Sequence, residues 1–246
     1  MGMDSLNNDV IVHRWSAMEI YKQFTREVTN SPAALALSSG GYVTLALAAT
    51  SEAEAHRLIY GAPAFSVSNL VYAKFRIACS ANLDANTLIS VGLAGTPVDD
   101  ADAIVNGVWA KVLADNTIVI ESDDGTTDVD DAITNMSLGL DFRDIVFNFK
   151  DGTFKRDIRL GGNQGGYKAI LPSIENANGV LRPVCRSTQF TLAAATVPLQ
   201  PFVQIVKTSS TNWGHLFVKE IEIGVKRTSQ AATAVTTTTT TTTTTS

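Results

Sequence analysis

Leu70-Val-Tyr-Ala-Lys-Phe-Arg-Ile-Ala-Cys79 decides the fold. Tyr72, Lys74, Arg76 and Ala78 interleave with Val71, Ala73, Phe75, Ile77 and Cys79, a period of two that sends one set into a core and the other toward solvent or a partner. Upstream the same period runs through Val43, Leu45 and Leu47, alternating with Thr44, Ala46 and Ala48. Downstream, further strands are predicted at Thr87 to Leu93, Gly107 to Leu113, Thr117 to Ser122, Asp144 to Phe149, Thr153 to Leu160, Gln189 to Leu192, Phe202 to Lys207 and His215 to Val225. Between them stand residues that start turns or tolerate positive φ: Asp115-Asn116, Asp123-Asp124-Gly125, Asp151-Gly152 and Ser209-Ser210-Thr211-Asn212. Asp151-Gly152, between Ile145 to Phe149 and Phe154 to Ile158, predicts a hairpin. Many short strands with no sustained helical period predict an all-β protein, an antiparallel two-sheet jelly-roll sandwich.

Around that core the chain divides in three. Residues 1–40 read as an N-terminal arm or docked segment: Trp15, Met18, Ile20, Tyr21 and Phe24 fall at mixed spacing, which suits a short helix or an arm laid on a sheet. Residues 41–227 form the sandwich, and Gly161-Gly162-Asn163-Gln164-Gly165-Gly166 opens a long loop reaching about Arg182. Residues 228–246 end in an unbroken threonine run, Thr236 to Thr245, a non-globular tail without an apolar face to offset the entropy of ordering. Its β-branched residues also suit addition to a neighbouring sheet edge.

Composition narrows the function. Of 246 residues 45% are hydrophobic but only 17% charged, against roughly 25% in an ordinary soluble domain, so part of the surface is expected to be covered by something other than water. The net charge of -5 and pI near 5.2 give no basic footprint for a phosphate backbone, and nucleic acid is not an expected partner. The apolar stretch around Tyr42 to Ala49 is far shorter than the roughly 20 residues of a membrane span, and Met1 to Val10 lacks a signal-peptide pattern. A chain made in the cytoplasm, with no membrane partner, is the expectation. Cys79 and Cys185 are too few for a disulfide framework or a zinc site and read as free thiols, since a reducing cytosol disfavours a bridge.

Candidate sites are sparse. Glu220 and Glu222 share one strand face, as the acid and nucleophile of sandwich-fold glucanases do, but Gly224 stands where those enzymes carry a further acid. Asp123, Asp124, Asp128, Asp130 and Asp131 could offer oxygens to calcium, without EF-hand spacing. His13, His56 and His215 lack metal-ligand spacing, no G-x-S-x-G elbow is present, and Gly161 to Gly166 lacks the lysine and helix of a phosphate loop. Trp109, Trp213 and Tyr167 are candidate platforms for sugar rings. The sequence therefore assigns no catalytic, cofactor-binding or metal-binding residue and no cofactor.

From roughly Tyr42 to Arg227 the chain resembles the lectin-like (concanavalin A-like) jelly-roll proteins of tailed-phage virions. The likeness is carried by Leu70 to Ile77, by Ile118-Val-Ile-Glu-Ser-Asp-Asp-Gly and by Phe142-Arg-Asp-Ile-Val-Phe-Asn-Phe-Lys-Asp-Gly. It continues through Leu199-Gln-Pro-Phe-Val-Gln-Ile-Val-Lys and Leu216-Phe-Val-Lys-Glu-Ile-Glu-Ile. The resemblance implies a non-enzymatic capsid decoration (cement) protein on the virion surface, bound to the major capsid protein and to copies of itself, often as a trimer. The alternatives are a carbohydrate-binding or receptor-binding virion protein and, further off, a glycoside hydrolase using Glu220 and Glu222.

Overall fold

The computed structural model describes residues 10–30, 32–61, 64–80, 83–150, 169–192, 195, 197–209, 211 and 214–227. The chain begins with β1 (Val10–Ser16), helix α1 (Ala17–Gln23), β2 (Thr25–Thr29), β3 (Ala36–Leu37), β4 (Val43–Ala46) and β5 (Glu54–Ile59). It continues through β6 (Leu70–Cys79), β7 (Thr87–Ala94), β8 (Gly107–Val112), β9 (Thr117–Asp123), β10 (Asp128–Ser137) and β11 (Arg143–Lys150). β12 (Ala169–Glu175), β13 (Leu181–Pro183), β14 (Phe190–Thr191), β15 (Gln200–Lys207) and β16 (His215–Lys226) follow.

These strands make two antiparallel sheets, as the alternation predicts. Sheet A runs β13-β12-β11-β6-β16-β4-β3, with β1 also paired to β16 and β14 to β12; sheet B runs β10-β9-β8-β7-β15-β5-β2. Phe75 and Ile77 of β6 and Ile221 and Ile223 of β16 meet Val91 and Leu93 of β7 and Val203 and Ile205 of β15 in one fully buried core. Each such side chain contributes about 1.5 to 3 kcal/mol by leaving water. The Asp115-Asn116 turn closes β8 on β9: Asn116 takes φ 65°, and Asp115 accepts the Thr117 N–H at 2.9 Å.

The segment before Tyr42 supplies strands to both sheets. β1 pairs with β16 in sheet A and β2 with β5 in sheet B. Helix α1 carries the chain across: Ser16 and Glu19 form its capping box, and Ala17 and Ile20 face the core. A short helix thus lies between two strands that belong to the sheets themselves.

Two polar-looking stretches are strands. β5 contains Glu54, His56 and Arg57, all buried, and β10 runs through the acidic cluster with register shifts on either side of Ala132-Ile133. The expected loop from Gly161 to about Arg182 is interrupted by β12 and β13. The hairpin at Asp151-Gly152, the strand Thr153 to Leu160, Gly161 to Gly166, Tyr167, Trp213 and the threonine tail lie outside the described residues. Cys79 and Cys185 are free thiols, Cys79 buried.

Candidate functional sites on the two outer sheet faces

Strand β16 does bring Glu220 and Glu222 together on the outer face of sheet A, opposite Arg76 and Lys74 of β6. Cations already occupy both. Arg14 of β1 donates from Nε to Glu222 at 2.6 Å and pairs with it again through Nη2. Lys74 Nζ lies 2.8 Å from Glu220 and 3.5 Å from Glu222. Tyr72 adds a hydroxyl donated to Glu222 at 2.5 Å. Burial alone would raise the Glu222 carboxyl; the hydrogen bonds from Tyr72 and Arg14 and the charge of Lys74 outweigh it and hold the group below the usual carboxylate range. A general acid requires the opposite shift. Gly224, where a third acid would stand, leaves room for the Tyr72 ring.

Further along that face sits a half-buried aromatic group. Tyr42 lies 5.6 Å from Phe142 and 5.4 Å from Phe217, His215 stacks on Phe217 at 5.7 Å, and Lys219 Nζ is 5.5 Å from the Phe142 ring centre. No pattern in the sequence brings these residues together, since they come from three separate segments.

The outer face of sheet B is covered by the chain itself. The loop 95–106 folds back over it, and Ala101 and Ile104 pack on Trp109 of β8, Phe202 of β15 and Ala94 of β7 in a second small core. Trp109 is only 2% exposed and cannot serve as an open sugar platform while this loop is seated. Gly92, opposite both Phe202 and Trp109, has no room for a Cβ, which would fall 2.6 Å from Trp109 Cα.

Two buried cations pin the loop. Arg57 of β5 donates to Gln204 Oε1 at 2.8 Å, to Glu27 at 3.0 Å, to the Pro97 carbonyl at 3.1 Å and to Asp99. Lys111 of β8 reaches Asp102 at 2.7 Å, Asp131 at 2.8 Å and Glu121 of β9. Beneath the loop, Ser90 Oγ, Trp109 Nε1 and Gln204 Nε2 are buried without a hydrogen-bond partner among the described residues. Beside Arg57 an open pocket of about 380 Å³ is lined by Glu27, Val28, Thr29, Val98 and Asp99.

Three of the five acids of the cluster make structural contacts, while Asp128 and Asp130 are exposed. Asp123 accepts the Gly125 N–H, Asp124 accepts those of Thr126 and Thr127, and Asp131 turns to Lys111. Among the described residues no three His, Cys, Asp or Glu side chains gather as a metal site. The histidines are also apart: His13 packs on Phe65, His56 lies inside β5, and His215 is on β16.

No protein-family model and no curated protein matches the chain. Solved structures do. Peanut lectin is similar over 88% of this chain and 97% of its own, at 11% identity and TM-score 0.54. A β-1,3-1,4-glucanase (lichenase) derived from a mouse hindgut metagenome is similar over 86% of this chain and 98% of its own, at 9% identity and TM-score 0.51. A protein of unknown function from Shewanella oneidensis MR-1 is similar over 91% of this chain and 89% of its own, at 9% identity and TM-score 0.53. At such identity the likeness shows the fold alone. That fold is the lectin-like jelly roll, which here carries both lectins and glycoside hydrolases among its neighbours.

Proposed function

We propose that this protein is a non-enzymatic structural component of a tailed-phage virion, a decoration subunit that binds the major capsid protein and copies of itself and stabilises the assembled head. The observation that supports this most is the state of the two outer faces. On one the chain's own loop covers the central strands β7, β8 and β15, and on the other the candidate acid pair is neutralised by Arg14 and Lys74. What remains uncovered is a sheet face of paired charges and half-buried Tyr and Phe, residue types enriched where proteins adhere. The low charged fraction points the same way. Heating capsids with and without the protein tests the reading. Binding with a raised disruption temperature is expected; no binding and no change in stability would overturn it.

A second reading, carbohydrate binding, is favoured by the aromatic group of Tyr42, Phe142 and Phe217, whose rings offer apolar faces next to charged hydrogen-bonding side chains. A glycan array distinguishes it: specific binding lost in Tyr42→Ala supports it, and an array without hits removes it.

A further inference from the structure

The loop 95–106 is held down at two places of different chemistry. At the Arg57 end the guanidinium binds Asp99 and the Pro97 carbonyl. At the Lys111 end one ammonium serves three carboxylates, Asp102 from the loop, Glu121 from β9 and Asp131 from β10. With all of them ionised this corner carries more negative than positive charge. Glu121 is the group enclosed there: its side chain is 1% exposed, whereas those of Asp102 and Asp131 are 66% and 58% exposed.

We propose that Lys111, Glu121, Asp131 and Asp102 form a proton-operated latch: with Glu121 neutral the loop 95–106 stays seated, and with Glu121 ionised it lifts. The charged groups facing Glu121 are Lys111 on β8, Asp131 on β10 and Asp102 on the loop. An ionised Glu121 competes with Asp102 for the single ammonium and repels it directly, so the loop's own anchor is weakened. Protonation removes that competitor and leaves Lys111 to Asp102 and Asp131. Burial pushes the Glu121 carboxyl up to about 7, Lys111 opposing, while Lys111 draws Asp131 down. Once the loop lifts, Glu121 meets water and returns toward the ordinary carboxylate range. The seated state is thus favoured below that range and loses the advantage as pH rises through about 7.

Opening uncovers Phe202 and the three side-chain groups that lack partners beneath the loop, Ser90 Oγ, Trp109 Nε1 and Gln204 Nε2. Two donors and a hydroxyl set around an apolar ring are then free to bind water or a neutral hydrogen-bonding ligand. This device is independent of the virion reading.

Hydrogen exchange of the loop amides, each rate corrected for intrinsic pH dependence, tests it on the whole protein. Protection across 95–106 is expected to fall about tenfold between about pH 6 and about pH 8, with the amides of β7 and β15 unaffected. Glu121→Gln, uncharged and of the same shape, is expected to keep the loop protected throughout that range. Asp102→Asn, an exposed change that leaves the core intact, is expected to lower protection at every pH and flatten its slope. Protection that is flat in the wild-type protein, or a slope that survives Glu121→Gln, would overturn the latch; should Glu121→Gln fail to fold, an Asp102→Asn loop with wild-type protection would do the same.

Discussion

The ring of Tyr72 lies over the bare Cα of Gly224, where an added Cβ would stand 2.3 Å from Tyr72 Cε1. The glycine therefore sets where the tyrosine hydroxyl meets Glu222. Gly224→Ala is expected to displace the ring and cost about 1 to 3 kcal/mol, the range for overpacking. Combining it with Tyr72→Ala should recover most of that loss, as read from urea midpoints in a double-mutant cycle.

Glu222 has cations on two sides and a proton affinity set below that of an acid catalyst. No release of reducing ends from mixed-linkage β-glucan is expected, and Glu222→Gln should behave identically in that assay. Stability should fall by about 1 to 3 kcal/mol, since the buried Glu222 carboxylate is the shared acceptor of Arg14, Tyr72 and Lys74. Hydrolysis that disappears in the variant would restore the glycosidase assignment.

Arg57 ties three parts of the chain together through Gln204, Glu27 and the loop residues Pro97 and Asp99. Arg57→Leu leaves those acceptors without their donor and is expected to cost about 2 to 3 kcal/mol. Proteolytic cleavage within 95–106 should speed up in step. An intact loop in this variant would show that the apolar packing of Ala101 and Ile104 and the Lys111–Asp102 pair hold it without Arg57.

His56 is fully buried in β5, and burial lowers its pKa to about 4. Arg26 donates to its Nε2 at 2.9 Å, and Nδ1 lies 3.3 Å from the Ala46 carbonyl, an arrangement that calls for a neutral ring protonated at Nδ1. Because the folded value lies below the ordinary one, this stability is complete above about pH 6.5 and is lost as pH falls toward about 4, a difference of about 3 kcal/mol. Glu121, raised to about 7, acts with the opposite sign over most of that window, so urea titrations are read in a Glu121→Gln background. There the His56 slope should appear, and adding His56→Gln should flatten it.

The core was legible because β6 and β16 alternate apolar with polar residues, while β8 and β9, buried on both faces, stand as short runs between turn residues. Most of their limits fall within a residue or two of those expected. β5 was hidden because Glu54, His56 and Arg57 are buried by virtue of partners distant in the chain: Lys207 lies 3.7 Å from Glu54, and Gln204 accepts from Arg57. β10 was hidden by its bulges, which break alternation where Asp131 reaches across to Lys111. Trp109 looked like a binding platform because nothing local signals that residues 95–106 return to cover it.

The placement of β15 and β16 bears on how the protein is made. These last two strands are interior members of their sheets: β15 separates β7 from β5, and β16 separates β6 from β4 and β1. Until β15 and β16 pair, sheet B therefore stands in two unjoined pieces and sheet A in three, with the edges of β5, β6 and β7 bare. Closure of the sandwich waits on the segment from Leu199 to Lys226, and chains lacking it carry the bare strand edges that favour aggregation.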